Sequence, residues 1–179
     1  METAILRTLK YHTLFKYPLT KEEISQWLYK IKTTPSHIDK FLDKLQNTKK
    51  IKKEKGYYFL AGKREFVKMR LQNQKYSAKK LKIAEKYAVI LAKIPFIKMI
   101  AVSGSLAMQN TEEGEDIDLF IITTVNRLWT SRFLSVLILE LMGKRRRPQA
   151  DDVKDRICLN LFLDERRLEI QNKNVYTAH

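Results

Sequence analysis

Two carboxylates one residue apart, Asp116 and Asp118, frame the start of an apolar run from Ile117 to Thr123. In extended backbone, side chains two positions apart leave the same face, so this pair can close on one cation. Magnesium prefers hard oxygen ligands and keeps waters and phosphate oxygens in its shell. Two carboxylates therefore suit Mg2+, or Mn2+, carrying a nucleoside triphosphate. Twelve residues before Asp116 and fourteen before Asp118 stands Gly104, followed by Ser105. Glycine lets backbone approach phosphate closely, and the N–H groups opening a following short helix, with the Ser105 hydroxyl, can hold phosphate oxygens. Taken singly, paired strand-end acids are commonly solvated and a Gly-Ser is commonly a turn. Together they describe a metal–nucleotide site with Asp116 and Asp118 on the metal and Gly104 and Ser105 on the phosphates.

The whole string from Val102 to Ile122 resembles the signature of the polymerase-beta-like nucleotidyltransferase superfamily, in its small bacterial and archaeal form: strand, Gly-Ser, short helix, then Asp-x-Asp on the next strand. The resemblance covers residues 80 to 165. It implies a mixed sheet flanked by helices and magnesium-dependent transfer of a nucleoside monophosphate from an NTP to an acceptor, with Asp116 and Asp118 as catalytic metal ligands. Relatives with full polymerase-type chemistry carry a third carboxylate on the next strand. Here that strand reads Arg156 to Leu163, and Asn160 is the position expected to stand in. Its amide oxygen can ligate a metal, but it cannot take a proton near neutral pH. Asp164, about 13 Å further along an extended strand, is a poor substitute. Met108-Gln109 replace a usual Arg-Gly, and Glu115 replaces a usual Ser; this extra acid either repels phosphate or helps hold a second cation. Relatives continue into further helices where this chain ends at Tyr176–His179, which implies a core shortened at its C-terminus or a fragment of a longer protein.

The elements that must position these residues read as α+β. Residues 1 to 74 show three short helices and a hairpin. Ala4 to Phe15 has helical spacing and is closed by Tyr17-Pro18. Thr20 and Glu23 form a capping-box pattern before Ile24, Trp27 and Leu28. Thr34-Pro35 announces a third helix, with Ile38, Phe41, Leu42 and Leu45 inward. Ile51 to Leu60 forms two extended runs around Lys55-Gly56. This order is that of a winged helix-turn-helix, with Pro35 to Leu45 as recognition helix and Lys52 to Gly56 as wing. Residues 63 to 93 are expected to hold a connecting helix and the first helix of a second domain, parted near Gln74 to Ser77. Residues 75 to 179 then form the nucleotidyltransferase-like core: a strand over Phe96 to Val102, a strand over Ile117 to Thr123 covered on both faces, a helix over Asn126 to Met142 closed by Gly143, and the last strand. Trp27 and Trp129 are expected to pack.

The net charge of +15 is unevenly spread: residues 1 to 95 hold 23 Lys/Arg against 8 Asp/Glu, and residues 96 to 179 hold 12 against 12. An excess confined to one half points to a polyanionic partner, so residues 35–56 are a candidate nucleic-acid contact. A solvated lysine-rich surface is the plain alternative. A DNA-binding regulator with a degenerate, nucleotide-sensing second domain is thus the main rival to an enzyme. A transferase whose acceptor is a partner protein is a third reading. The run Lys144 to Arg147 either reaches phosphate or complements a helix end. His12, His37 and His179 lack ligand spacing. One cysteine, Cys158, excludes a disulfide framework and any multi-cysteine metal site. No apolar run approaches the length of a bilayer span, so no membrane partner and a cytoplasmic setting are expected.

Overall fold

Thr20 shows how local chemistry sets the first elements. Its hydroxyl accepts from the Glu23 N–H at 3.3 Å while the Glu23 carboxylate accepts from the Thr20 N–H at 2.8 Å, a reciprocal cap that starts helix α2 (Lys21–Gln26). The computed structural model describes residues 1–28, 31–149 and 152–168; His179 and the chain's last residues, considered above, lie outside these. The chain divides into two compact units, Met1–Gln72 and Asn73–His179.

In the first unit, α1 (Glu2–Thr13), α2 and α3 (Asp39–Asn47) are followed by an antiparallel hairpin of β1 (Ile51–Glu54) and β2 (Tyr57–Leu60). Lys55 and Gly56 have φ of 50° and 85°, the left-handed pair that a two-residue hairpin turn requires. Leu19 adds a short antiparallel bridge to Tyr58. The expected third helix is split: Pro35–Ile38 is a 3-10 turn and α3 begins only at Asp39. Thr34 supplies no side-chain cap; its hydroxyl meets Ser36 instead at 3.2 Å. The interior is Ile5, Leu9, Leu19, Ile24, Ile38, Leu42, Leu45 and Ile51, each at most 2 % exposed.

Helix α4 (Glu65–Leu91) runs unbroken for 27 residues where two helices parted near Gln74 to Ser77 were expected. No Gly or Pro interrupts the run. Within the second unit its buried residues are Asn73, Ser77, Lys80, Ala84, Tyr87 and Leu91, spaced three or four apart and so on one face. That face is polar up to Lys80 and apolar after it, which is why apolar periodicity alone suggests a break.

The second unit's sheet has the order β3-β4-β5, with β3 (Ile97–Val102) antiparallel and β5 (Ile157–Asp164) parallel to β4 (Ile117–Thr123). The α+β class and the mixed sheet agree with the sequence reading. Strand β4 alternates: Ile117, Leu119, Ile121 and Thr123 are buried, while Asp118, Phe120 and Ile122 are only half-buried. The expectation of equal cover on both faces is therefore corrected. The one-residue offset that buries Ile117 turns Asp118 to the other side of the sheet, where a ligand can reach it. Helix α6 (Leu128–Leu141) buries Ser131, Ser135 and Leu139. Trp129 is 79 % exposed, and Phe133, Leu137 and Leu141 follow it at four-residue steps on the exposed side. Trp129 does not pack as expected, because a helix apolar on all sides conceals which face is inward. Among the described residues no helix is long and apolar enough to cross a membrane.

Candidate functional site

Asp116 lies just before β4 and Asp118 within it, and β5 brings Cys158 alongside as the register partner of Asp118. One ligand atom from each of Asp116, Asp118 and Cys158 lies within 4.8 Å of the others. The sequence reading nominated Asn160 for the place on β5 that Cys158 takes. The register between the two strands shifts after Leu119–Leu159, so Phe120 faces Leu161 and Asn160 has no partner on β4. Asn160 is exposed. A β-bulge of this kind adds one residue to one strand and changes which side chains line up.

The charge balance follows from this packing. Burial raises the Asp118 carboxyl above its ordinary value; the Cys158 thiol opposes that rise by donating to it, and the neighbouring Asp116 charge adds to it. Burial, then the contact with Asp118, pushes the Cys158 thiol up to about 11, so at neutral pH it is a protonated donor. Asp116 is balanced differently. The Arg146 guanidinium Nε lies 3.0 Å from its Oδ2, an ion pair whose side chains are 42 % and 20 % exposed.

Gly104 opens the short helix α5 (Gly104–Ala107) with φ of 64°. A Cβ there would stand 2.9 Å from the Asp118 Oδ2. Backbone conformation and the nearness of a carboxylate therefore both favour glycine. Ser103 fixes the same junction by donating its N–H to the Asp118 carbonyl at 3.0 Å. Its buried hydroxyl has no hydrogen-bond partner among the described residues, which leaves unused bonding capacity next to Gly104. The Ser105 hydroxyl is engaged: it donates to Glu115 Oε2 at 2.5 Å. The same oxygen accepts from the Thr111 hydroxyl at 2.9 Å and the Glu112 N–H at 3.2 Å. Glu115 is thus the knot that ties the loop before Asp116 to α5, and its charge also adds to the rise at Asp118.

Sequence reasoning missed the base of that loop. The Lys80 ammonium, on a side chain 3 % exposed, pairs with Asp155 at 3.0 Å and donates to the carbonyls of Glu113 and Glu115 at 3.1 and 2.5 Å. Asn73 donates to the Asn110 carbonyl, and Ser77 accepts from the Thr111 N–H. The polar stretch of α4 is thus a rail for residues 110–115. Polar residues at helical spacing amid lysines were the only signal. Lys80→Met strands Asp155 and two carbonyls, and a loss of about 2–4 kcal/mol is expected in urea unfolding of the second unit.

The run Lys144 to Arg147 is tied down on both sides. Arg145 and Arg147 pair with Glu140. The Lys144 carbonyl accepts from the Ile157 N–H at 2.7 Å, and the Arg146 N–H donates to the Ile157 carbonyl at 2.9 Å. Asp164 accepts from the Asn126 and Arg166 N–H groups, each at 2.9 Å, and so closes a turn away from the acidic pair.

The donor set can be weighed against a divalent cation. Two carboxylates on one side of a strand end supply the hard oxygens that magnesium or manganese takes, with positions left for water and phosphate. A sulfur third neighbour is softer and tolerates manganese better than magnesium. The residues present fit such an ion. Comparison with protein-family models, with curated proteins and with solved structures finds no match to this chain.

Proposed function

We propose that the second unit is a nucleotidyltransferase-type core that binds an NTP with a divalent cation, Mg2+ or Mn2+, and transfers a nucleoside monophosphate to an acceptor. The observation that carries this reading is the approach of Gly104 to Asp118: a residue whose Cβ would meet the Asp118 carboxylate sits at a helix start, and that carboxylate clusters with Asp116 and Cys158. Asp116 and Asp118 would hold the ion, and the backbone at Gly104 and Ser105 would face the phosphates. When bound, the ion supplies charge neutralisation for the leaving pyrophosphate and polarises the reacting phosphoryl group. Gln109 adds support: at the position where the resemblance calls for glycine, its φ is 52°, the left-handed region that glycine serves. Because Glu115 already uses the Ser105 hydroxyl, Ser105 contributes mainly its N–H.

The test is calorimetric titration of Mn2+ and of ATP or GTP with Mn2+ into the native chain and into the Asp116→Asn/Asp118→Asn variant. Removing both charges is expected to weaken binding by at least about a hundredfold, the scale set by losing two charge-assisted contacts. Equal binding by the two proteins removes the assignment.

A second reading is favoured by Cys158. A thiol in place of a third carboxylate supplies no base, and in the first unit Lys49, Lys50, Lys52, Lys53 and Lys55 are exposed on and around the hairpin. On that reading the first unit is a winged helix that contacts nucleic acid through residues 35–56, and the second unit senses nucleotide without transferring it. Radiolabelled NTP incubated with cell extract separates the two, since only a transferase leaves label on an acceptor, whether nucleic acid or protein.

A further inference from the structure

Arg146 is held to the sheet by its backbone and to the acidic pair by its side chain. Its N–H donates to the Ile157 carbonyl, Arg145 bridges Ile157 in parallel fashion, and its Nε lies 3.0 Å from Asp116 Oδ2. It thus places a cation on one of the carboxylates that a metal would take, while Asp118 accepts from the Cys158 thiol. A carboxylate has lone pairs for both a guanidinium and a metal ion, but the two cations repel one another at that separation and so compete for its charge.

We propose that Arg146 is a cation stand-in for Asp116 that passes to the substrate's phosphates when the metal arrives. This rests on the reading of Asp116 and Asp118 as metal ligands. The logic is geometric. A metal on Asp116 neutralises the guanidinium's partner and so loosens the pair, but the backbone of Arg146 stays paired to β5, so its head remains within a side chain's length of the site. The incoming nucleotide brings several negative charges to that space, and arginine's planar fork matches phosphate oxygens two at a time. Neighbouring Arg145 and Arg147 are committed to Glu140, which leaves Arg146 as the member of the run directed at the acidic pair. Arg146 therefore opposes metal binding on its own and favours binding of metal with nucleotide, so the site is biased towards loading both together.

The experiment is titration of Mn2+ alone, and of ATP in saturating Mn2+, into the native chain, Arg146→Met and Arg146→Lys. Methionine keeps the apolar stem and lacks the charge; lysine keeps the charge and lacks the fork. Thermal melts of each variant check that the fold is retained. For Arg146→Met the two effects should have opposite signs: Mn2+ alone binds about three- to tenfold more tightly, because the competing ion pair is gone, and ATP binds about tenfold or more weakly, as expected on losing a charge-assisted contact. Arg146→Lys should restore much of the opposition to Mn2+ and little of the ATP affinity. If Arg146→Met weakens both ligands, Arg146 merely props the site and the proposal is overturned. If ATP affinity is unchanged, its transfer to phosphate is overturned. If the native chain binds Mn2+ no better than Asp116→Asn/Asp118→Asn does, the underlying metal reading itself falls, a result distinct from either of the others.

Discussion

Gly104→Ala is expected to disable the site while leaving a folded chain. Alanine at a φ of 64° carries the left-handed penalty of about 1–2 kcal/mol, and its methyl would meet Asp118 Oδ2 at 2.9 Å. Relief must come from the carboxylate, since the strand beneath it is pinned: the Asp118 carbonyl accepts from Ser103 and the adjacent Ile117 is fully buried. Rotating Asp118 away separates it from Asp116. Affinity for metal with nucleotide should fall on the order of a hundredfold, since positioning errors near 1 Å act on that scale. Urea unfolding of the second unit should lose only about 1–3 kcal/mol. Calorimetry and unfolding on one preparation check both numbers. Retained affinity would mean that Asp118 does not contact the ligand.

The second large effect is expected from Cys158→Asp. Cys158 is the register partner of Asp118, and its Sγ belongs to the same compact cluster. An aspartate there reaches one bond further than the thiol and adds a third hard oxygen donor, so Mn2+ should bind at least about tenfold more tightly. Without metal the sign reverses. Asp118 is already raised by burial and by Asp116, and Cys158→Asp replaces its hydrogen-bond donor with another negative charge, so the metal-free protein should lose about 1–3 kcal/mol. The deficit against the native chain seen in melting curves without Mn2+ should therefore shrink by about 1.4 kcal/mol or more in saturating Mn2+, the worth of a tenfold gain in affinity. Curves that shift equally in both conditions would place β5 outside the binding site. A gain in nucleotidyl transfer would show that the proposed activity is limited by what Cys158 lacks, a third hard ligand or a base.

The acidic pair and Gly104 are legible because their message is local: period-two alternation brings Asp116 and Asp118 to one side, and a glycine before a helix start invites a ligand. The hairpin and the Thr20 cap are legible for the same reason. What failed depends on residues far apart in sequence. Counting alternation along the last strand selects Asn160, but the register shift after Leu159 cannot be seen from either strand alone. Arg146 looks like one of four loop cations until its backbone hydrogen bond to Ile157 aims it. The buried face of α4 hides because its first half is polar, and Lys80 in such a lysine-rich helix resembles a solvated side chain. Glu115 seemed an anomaly beside a phosphate site only because its three donors, from Ser105, Thr111 and Glu112, come together on folding.

The two tryptophans fall one to each unit: Trp27 is half-buried in the first and Trp129 stands 79 % in water in the second. An indole already solvated in the native state changes its surroundings little on denaturation. Emission excited selectively at tryptophan, leaving out Tyr87 and the other tyrosines, is consequently a readout of the first unit's melting, and the second unit's transition passes almost silently in it unless a new fluorophore is placed in its core.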